Sequence, residues 1–100
     1  MKEKNTFLYC TAVVQTTGKV TYEALADKLN ELQELTVLEE GCVLFKVVPL
    51  NKKQGRFALW EIWKGQAAFY EHHSKEYTKN FFAEELDTVE FFESSEEVQL

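Results

Sequence analysis

The stretch FALWEIWKGQAAFYEHHSKEY, Phe57 to Tyr77, carries both tryptophans and both histidines of this chain. It reads as a strand running into a helix. With Arg56 in front, RFALWEIW places Phe57, Leu59, Glu61 and Trp63 on one face of a strand and Ala58, Trp60 and Ile62 on the other. Only Glu61 interrupts the apolar character after Arg56, so both faces ask for burial. KGQAAFYEHHSKEYTKNFFAEEL then begins a helix near residue 65, with Ala68, Phe69, Phe81 and Phe82 on or near one face.

Upstream, residues 6 to 16, TFLYCTAVVQT, are β-branched and aromatic and read as a first strand. Gly18 marks the loop that follows. Thr21 is a helix N-cap with Glu23 favourable in the first turn, and Leu25, Leu29 and Leu32 recur at i, i+4 and i+7, with Tyr22 and Leu35 extending the stripe. The helix spans about 21 to 36. CVLFKVVPL, 42 to 50, is a second strand, and Pro49 puts its end at an edge because proline has no amide to donate. NKKQG is a hairpin loop, and DTVEFFE, 87 to 93, is the fourth strand. The tail SSEEVQL is polar and acidic and is expected to be mobile.

The order βαββαβ is the ferredoxin-like pattern: an α+β domain with an antiparallel four-stranded sheet and two helices on one face. One hundred residues fit a single domain over 1–100, with a core of about 6–93 and the acidic tail 94–100. Repeats and linkers are not evident. A net charge of −6 offers no basic stripe for phosphates, which argues against nucleic acid and against anionic membrane surfaces. MKEKNTFLYC reads as neither a secretory signal nor a membrane anchor. Cys10 and Cys42 lack a CxxC spacing and read as buried free thiols, so a cytoplasmic location is expected.

Helices on one face leave the other face of the sheet to be polar if it meets water. CVLFKVV is broken only by Lys46, and RFALWEIW only by Glu61 after its first residue. At about 25 cal/mol per Å², an uncovered apolar face would forfeit many kcal/mol. A second copy packed face to face about a two-fold axis solves this, so a homodimer with Trp60 in its core is expected. Cover by the tail is the alternative, and SSEEVQL has few apolar residues for it.

EEGCVLF, then RFALWEIW, then KGQAAFYEHHSKEY resembles the antibiotic biosynthesis monooxygenase domain, including its quinol monooxygenase-like members. The matching positions are Gly41 and Cys42 in the turn into the second strand, Glu61 and Trp63 at the end of the third, Ala68 and Phe69 at the helix start, and His72. Glu40 stands where the family has proline, and Tyr77 stands where a second His is common. The resemblance covers about residues 6 to 93. It implies a ferredoxin-like subunit in a dimeric α/β barrel, with a pocket between sheet and helices.

It also implies oxidation of a quinol or polyphenol-like aromatic by O2, with no metal or flavin cofactor. A deprotonated dihydroxyaromatic can itself reduce O2, and the protein then supplies a dry cavity, a proton acceptor and hydrogen bonds. His72 or His73 is the candidate acceptor, since an imidazole near pKa 6.5 suits that role. Tyr77 and Glu61 are candidates to orient or polarise the substrate, and Trp63, Phe69 and Phe81 to wall it. A phenol with a pKa near 10 is a poorer base than His, yet can donate to an oxyanion. Unbroken helical spacing puts His73, Tyr77 and Phe81 on one face with Phe69 and leaves open which imidazole enters the pocket.

Each residue also has a plainer reading. Trp63 can be core, either His a helix-surface residue, Tyr77 a packed ring with a wet hydroxyl, and Glu61 an acceptor for neighbouring donors. His72 and Glu76 at i, i+4 lack a third ligand, so no metal site is expected. Two other functions remain open. One is a non-catalytic protein binding an apolar small molecule. The other is haem degradation, by a related branch that uses a His where Phe82 stands and an Asn within the first strand, where only the nearby Asn5 is available.

Overall fold

A computed structural model describes residues 6–100. The elements are β1 (Leu8–Thr16), α1 (Tyr22–Thr36), β2 (Cys42–Pro49), a 3-10 turn (Lys52–Gln54), β3 (Arg56–Trp63), α2 (Gln66–Ser74), α3 (Glu76–Ala83) and β4 (Asp87–Ser94). All pairings are antiparallel, in the order β2-β3-β1-β4. This is the expected ferredoxin-like sheet.

The barrel is not formed. β2 and β4 are the two edges of an open four-stranded sheet, and neither pairs with the other. β3 and β1 lie between β2 and β4, so the two edges are kept apart and the sheet stays open. The edges are blunted locally. The Val47 amide on β2 donates to Gln33 Oε1 at 2.7 Å, so α1 covers part of that edge. β4 carries an irregularity opposite Val13 and Val14, which bends it.

The helix stripe of α1 behaves as its spacing predicts. Thr21 caps it, its hydroxyl accepting from the Ala24 amide at 3.1 Å. Leu25, Leu29 and Leu32 are buried, while Leu35 is exposed. They meet the inner sheet face: Leu8, Cys10 and Val14 from β1, Phe45 and Val47 from β2, and Phe57 and Trp63 from β3. Tyr22 stacks on Phe57 with ring centroids 4.9 Å apart.

The second helix departs from expectation. It breaks at Lys75, whose extended backbone (φ −68°, ψ 144°) separates α2 from α3. Neither glycine nor proline causes this. The Ser74 hydroxyl donates back to the Glu71 carbonyl at 2.7 Å, which competes with the helical ladder. The break ends the continuous face on which His73, Tyr77 and Phe81 were expected.

The segment after β4 is also different from a mobile tail. The Ser95 amide donates to the Tyr9 carbonyl at 2.8 Å, Gln66 Nε2 to Glu96 Oε1 at 2.9 Å, and the Gln99 amide to Tyr70 Oη at 3.0 Å. Val98 packs against the core. The segment therefore folds back along α2. It does not cover the outer sheet face, where Tyr9 (52%), Trp60 (50%) and Phe91 (48%) stand open beside Leu44.

Candidate functional site

The inner face of β3 sets the site. Glu61 and Trp63 point the same way, and Trp63 Nε1 donates to Glu61 Oε1 at 2.9 Å. Opposite them, Gly41 lets the turn into β2 approach the start of α2. A Cβ at position 41 would lie 2.5 Å from that of Ala68, and the Lys64 amide closes the junction on the Gly41 carbonyl at 2.9 Å. The Gly41 and Ala68 positions noted in the sequence are thus one contact. It fixes α2 over the end of β3.

That placement brings His72 onto Trp63, with ring centroids 4.8 Å apart, and beside Phe45 at 5.7 Å. His72 Nδ1 donates to Glu39 Oε2 at 2.8 Å. The Tyr77 hydroxyl donates to the same Glu39 oxygen. Glu39 thus gathers two donors from α2 and α3. Because its carboxylate can only accept, it fixes the neutral His72 tautomer and leaves Nε2 unprotonated. Burial lowers the His72 pKa below the ordinary value, with Glu39 opposing that shift. Burial and then Glu39 raise the Tyr77 phenol, so it is a donor and not a base at neutral pH.

His73 is held differently. Its Nδ1 donates to the Phe69 carbonyl at 2.8 Å, and its ring stacks on Phe82 with centroids 5.9 Å apart. In the neutral ring its Nε2 is likewise an acceptor.

Between sheet and helices lies a cavity of about 50 Å³. Glu61, His72, His73 and Phe81 line it, so four of the seven candidates come together there. Trp63 and Phe69 are fully buried in the core behind it. Tyr77 instead reaches Glu39 and a surface groove between α1 and α3.

Three polar contributors were missed. Glu39 lies 33 residues before His72, and no spacing rule joins them. Thr78 lines the cavity, 1% exposed, and its hydroxyl has no hydrogen-bond partner among the described residues. Asp87, at the start of β4, lines it too, and burial raises its pKa to about 6. Burial raises Glu61 to about 7 against the opposing Trp63 hydrogen bond. Cys10 and Cys42 are free thiols pushed up to about 12 and about 11, mainly by burial, and are inert at neutral pH. No group of three His, Cys, Asp or Glu able to hold a metal occurs among the described residues. No helix among them is long and apolar enough to cross a membrane. Asn5 lies outside the described residues.

Comparison with known proteins agrees with this architecture. YjcS of Bacillus subtilis strain 168, itself uncharacterised, is 31% identical over 87 residues, covering 87% of this chain and 83% of its own. The solved structure of a YjcS protein superposes with a TM-score of 0.86 at 29% identity, covering 93% of this chain and all of that one. PA3566 from Pseudomonas aeruginosa superposes with a TM-score of 0.76 at 21% identity over 99% of both chains, a likeness of fold. The family model for antibiotic biosynthesis monooxygenases matches residues 13–84, from within β1 through α3, and the chain belongs to that family.

Proposed function

We propose that the protein is a cofactor-independent monooxygenase that oxidises a quinol or polyphenol-like aromatic in the cavity between sheet and helices. The observation that carries this reading is the pair of imidazoles at the cavity wall, each with Nδ1 committed elsewhere. His72 is the proton acceptor. Its Nε2 takes the substrate hydroxyl proton, and the Glu39 carboxylate stabilises the imidazolium that forms. Glu39 and, through it, Tyr77 are positioning residues. His73 Nε2 accepts from a second substrate hydroxyl.

The overall change is SH2 + O2 → SO + H2O. The deprotonated substrate supplies all the electrons. One oxygen atom enters a carbon of the substrate, and the other leaves as water with the two hydrogens the substrate gives up. The aromatic lining of Phe45, Phe81, Phe82 and Phe92 keeps bulk water from competing for the proton.

The working particle in this reading is a homodimer. Tyr9, Trp60, Phe91 and Leu44 make an open apolar patch on the outer sheet face. A second copy related by a two-fold axis would cover it without a new partner.

Oxygen uptake with a panel of hydroquinones tests the chemistry. Uptake should fall by about two to four orders of magnitude in the His72→Ala, His73→Ala double variant. Equal rates in variant and parent would mean that the imidazoles carry nothing. The small cavity favours a second reading, a binding protein without turnover. Saturable binding with no uptake from any member of the panel would select it.

A further inference from the structure

The cavity's lining has a one-sided polarity that proton transfer does not use. Two carboxyl groups, Glu61 and Asp87, line it, and no Lys or Arg does so among the described residues. The buried Thr78 hydroxyl faces the same space with no partner. Four phenylalanine rings, from β2, α3 and β4, share the wall with aliphatic side chains. A buried carboxylate needs a cation or several donors, and Glu61 has one donor, Trp63 Nε1. The ionisable groups around it are the Cys10 thiol on β1, the Cys42 thiol on β2, and His72 and His73 on α2, and none brings a fixed positive charge. Aromatic faces next to a carboxylate are the usual surroundings of a bound ammonium group.

We infer that the cavity is selective for an aromatic ligand bearing an amine, whose ammonium group pairs with the Glu61 carboxylate among the phenylalanine rings. This rests on the proposed function only in taking the same cavity as the site, and it names the ligand class. Asp87 serves a different end. The β1 partners of Glu61 and Asp87 are Cys10 and Thr16, six positions and therefore about 20 Å apart along the strand. A single small aromatic meets one carboxyl, and Glu61 is the one bonded to Trp63, on which the His72 ring lies. At about 50 Å³ the cavity has room for about four waters, so entry requires an opening. Leu100, on the segment folded back along α2, lines the cavity while still well exposed, which places the opening there.

Three probes share one phenol ring and differ in the tail: tyramine (ammonium), 4-ethylphenol (neutral) and 3-(4-hydroxyphenyl)propanoate (anionic). Binding is followed by Trp63 fluorescence in a Trp60→Phe background, where Trp63 is the remaining tryptophan. Tyramine should bind about tenfold more tightly than 4-ethylphenol at pH 8, and the acid more weakly than either. The preference should shrink as pH falls below about 7, where Glu61 takes up a proton. Glu61→Gln should abolish it, bringing tyramine and 4-ethylphenol to about equal affinity, and Asp87→Asn should leave it intact. The probe series on the parent decides the matter even if a variant fails to fold. Equal affinities, tightest binding by the acid, no binding by tyramine, or a preference lost in Asp87→Asn and kept in Glu61→Gln would each overturn the inference. Hydroquinone oxidation is measured separately, so its presence or absence bears on the proposed function and not on the amine preference.

Discussion

Replacing Glu39 with alanine removes one acceptor from two donors at once. The Glu39 and His72 side chains are 8% and 4% exposed, so water cannot readily substitute for the lost carboxylate at His72. A buried donor left without a partner costs about 1–3 kcal/mol. The Tyr77 hydroxyl is less committed, because the Leu35 carbonyl lies 3.4 Å away as a second acceptor. Its share is therefore about 0.5–1.5 kcal/mol. Glu39→Ala should lower the unfolding free energy by about 1.5–4.5 kcal/mol, a large part of the 5–15 kcal/mol typical of a domain. Urea denaturation at pH 7 reads this directly, and the midpoint should move while the slope stays constant. Tyr77→Phe alone should cost about 1 kcal/mol, and added to Glu39→Ala it should cost less than it does alone. That non-additivity is the signature of a shared acceptor. A Glu39→Ala loss below about 0.5 kcal/mol, or full additivity with Tyr77→Phe, would refute the reasoning that Glu39 holds both side chains.

Four further outcomes follow from other parts of the molecule. The folded state holds Glu61 protonated up to about pH 7 against an ordinary carboxyl value of 4.5, so this contribution to stability is full below about 4.5 and is lost as pH rises through about 7. The span corresponds to about 3 kcal/mol, and Glu61→Gln should remove that slope in a series of denaturation curves. His72 acts in the opposite sense: its lowered pKa means that stability falls as pH drops below about 6.5, and His72→Gln should relieve that acid loss. Trp60→Glu, at the centre of the open sheet face, should convert a dimer to monomers at micromolar concentration in sedimentation velocity, and a parent that already sediments as a monomer would remove the dimer proposal. Gly41→Ala should cost about 1–3 kcal/mol through its clash with Ala68, and Ala68→Gly in the same chain should recover part of the loss in thermal denaturation.

The strands and α1 were legible because their signals are local. Arg56 to Trp63 alternates over a full strand, and the Thr21 cap with Leu25, Leu29 and Leu32 defines α1. The break at Lys75 was not legible, since a serine hydroxyl turning back on its own helix leaves no mark in the apolar spacing. His72 and His73 were legible as candidates, and their distinct hydrogen bonds were not. Those bonds run to Glu39, in the turn before β2, and to the Phe69 carbonyl, neither of which periodicity points to. Thr78 and Asp87 acquire meaning only once the sheet and α3 enclose a cavity around them. The apolar outer face was read correctly from Trp60 and its neighbours, while closure into a barrel was an inference about the sheet that its open edges do not support.

The central claim is that this cavity directs one atom of O2 into an electron-rich aromatic with an imidazole taking the proton. Mass analysis of products formed under 18O2, using chelator-dialysed protein and the hydroquinone panel, tests it most directly. The expected result is a product carrying one 18O atom, formed by the parent and lost in the His72→Ala, His73→Ala variant. Unlabelled product, or labelled product formed equally well by that variant, would contradict it.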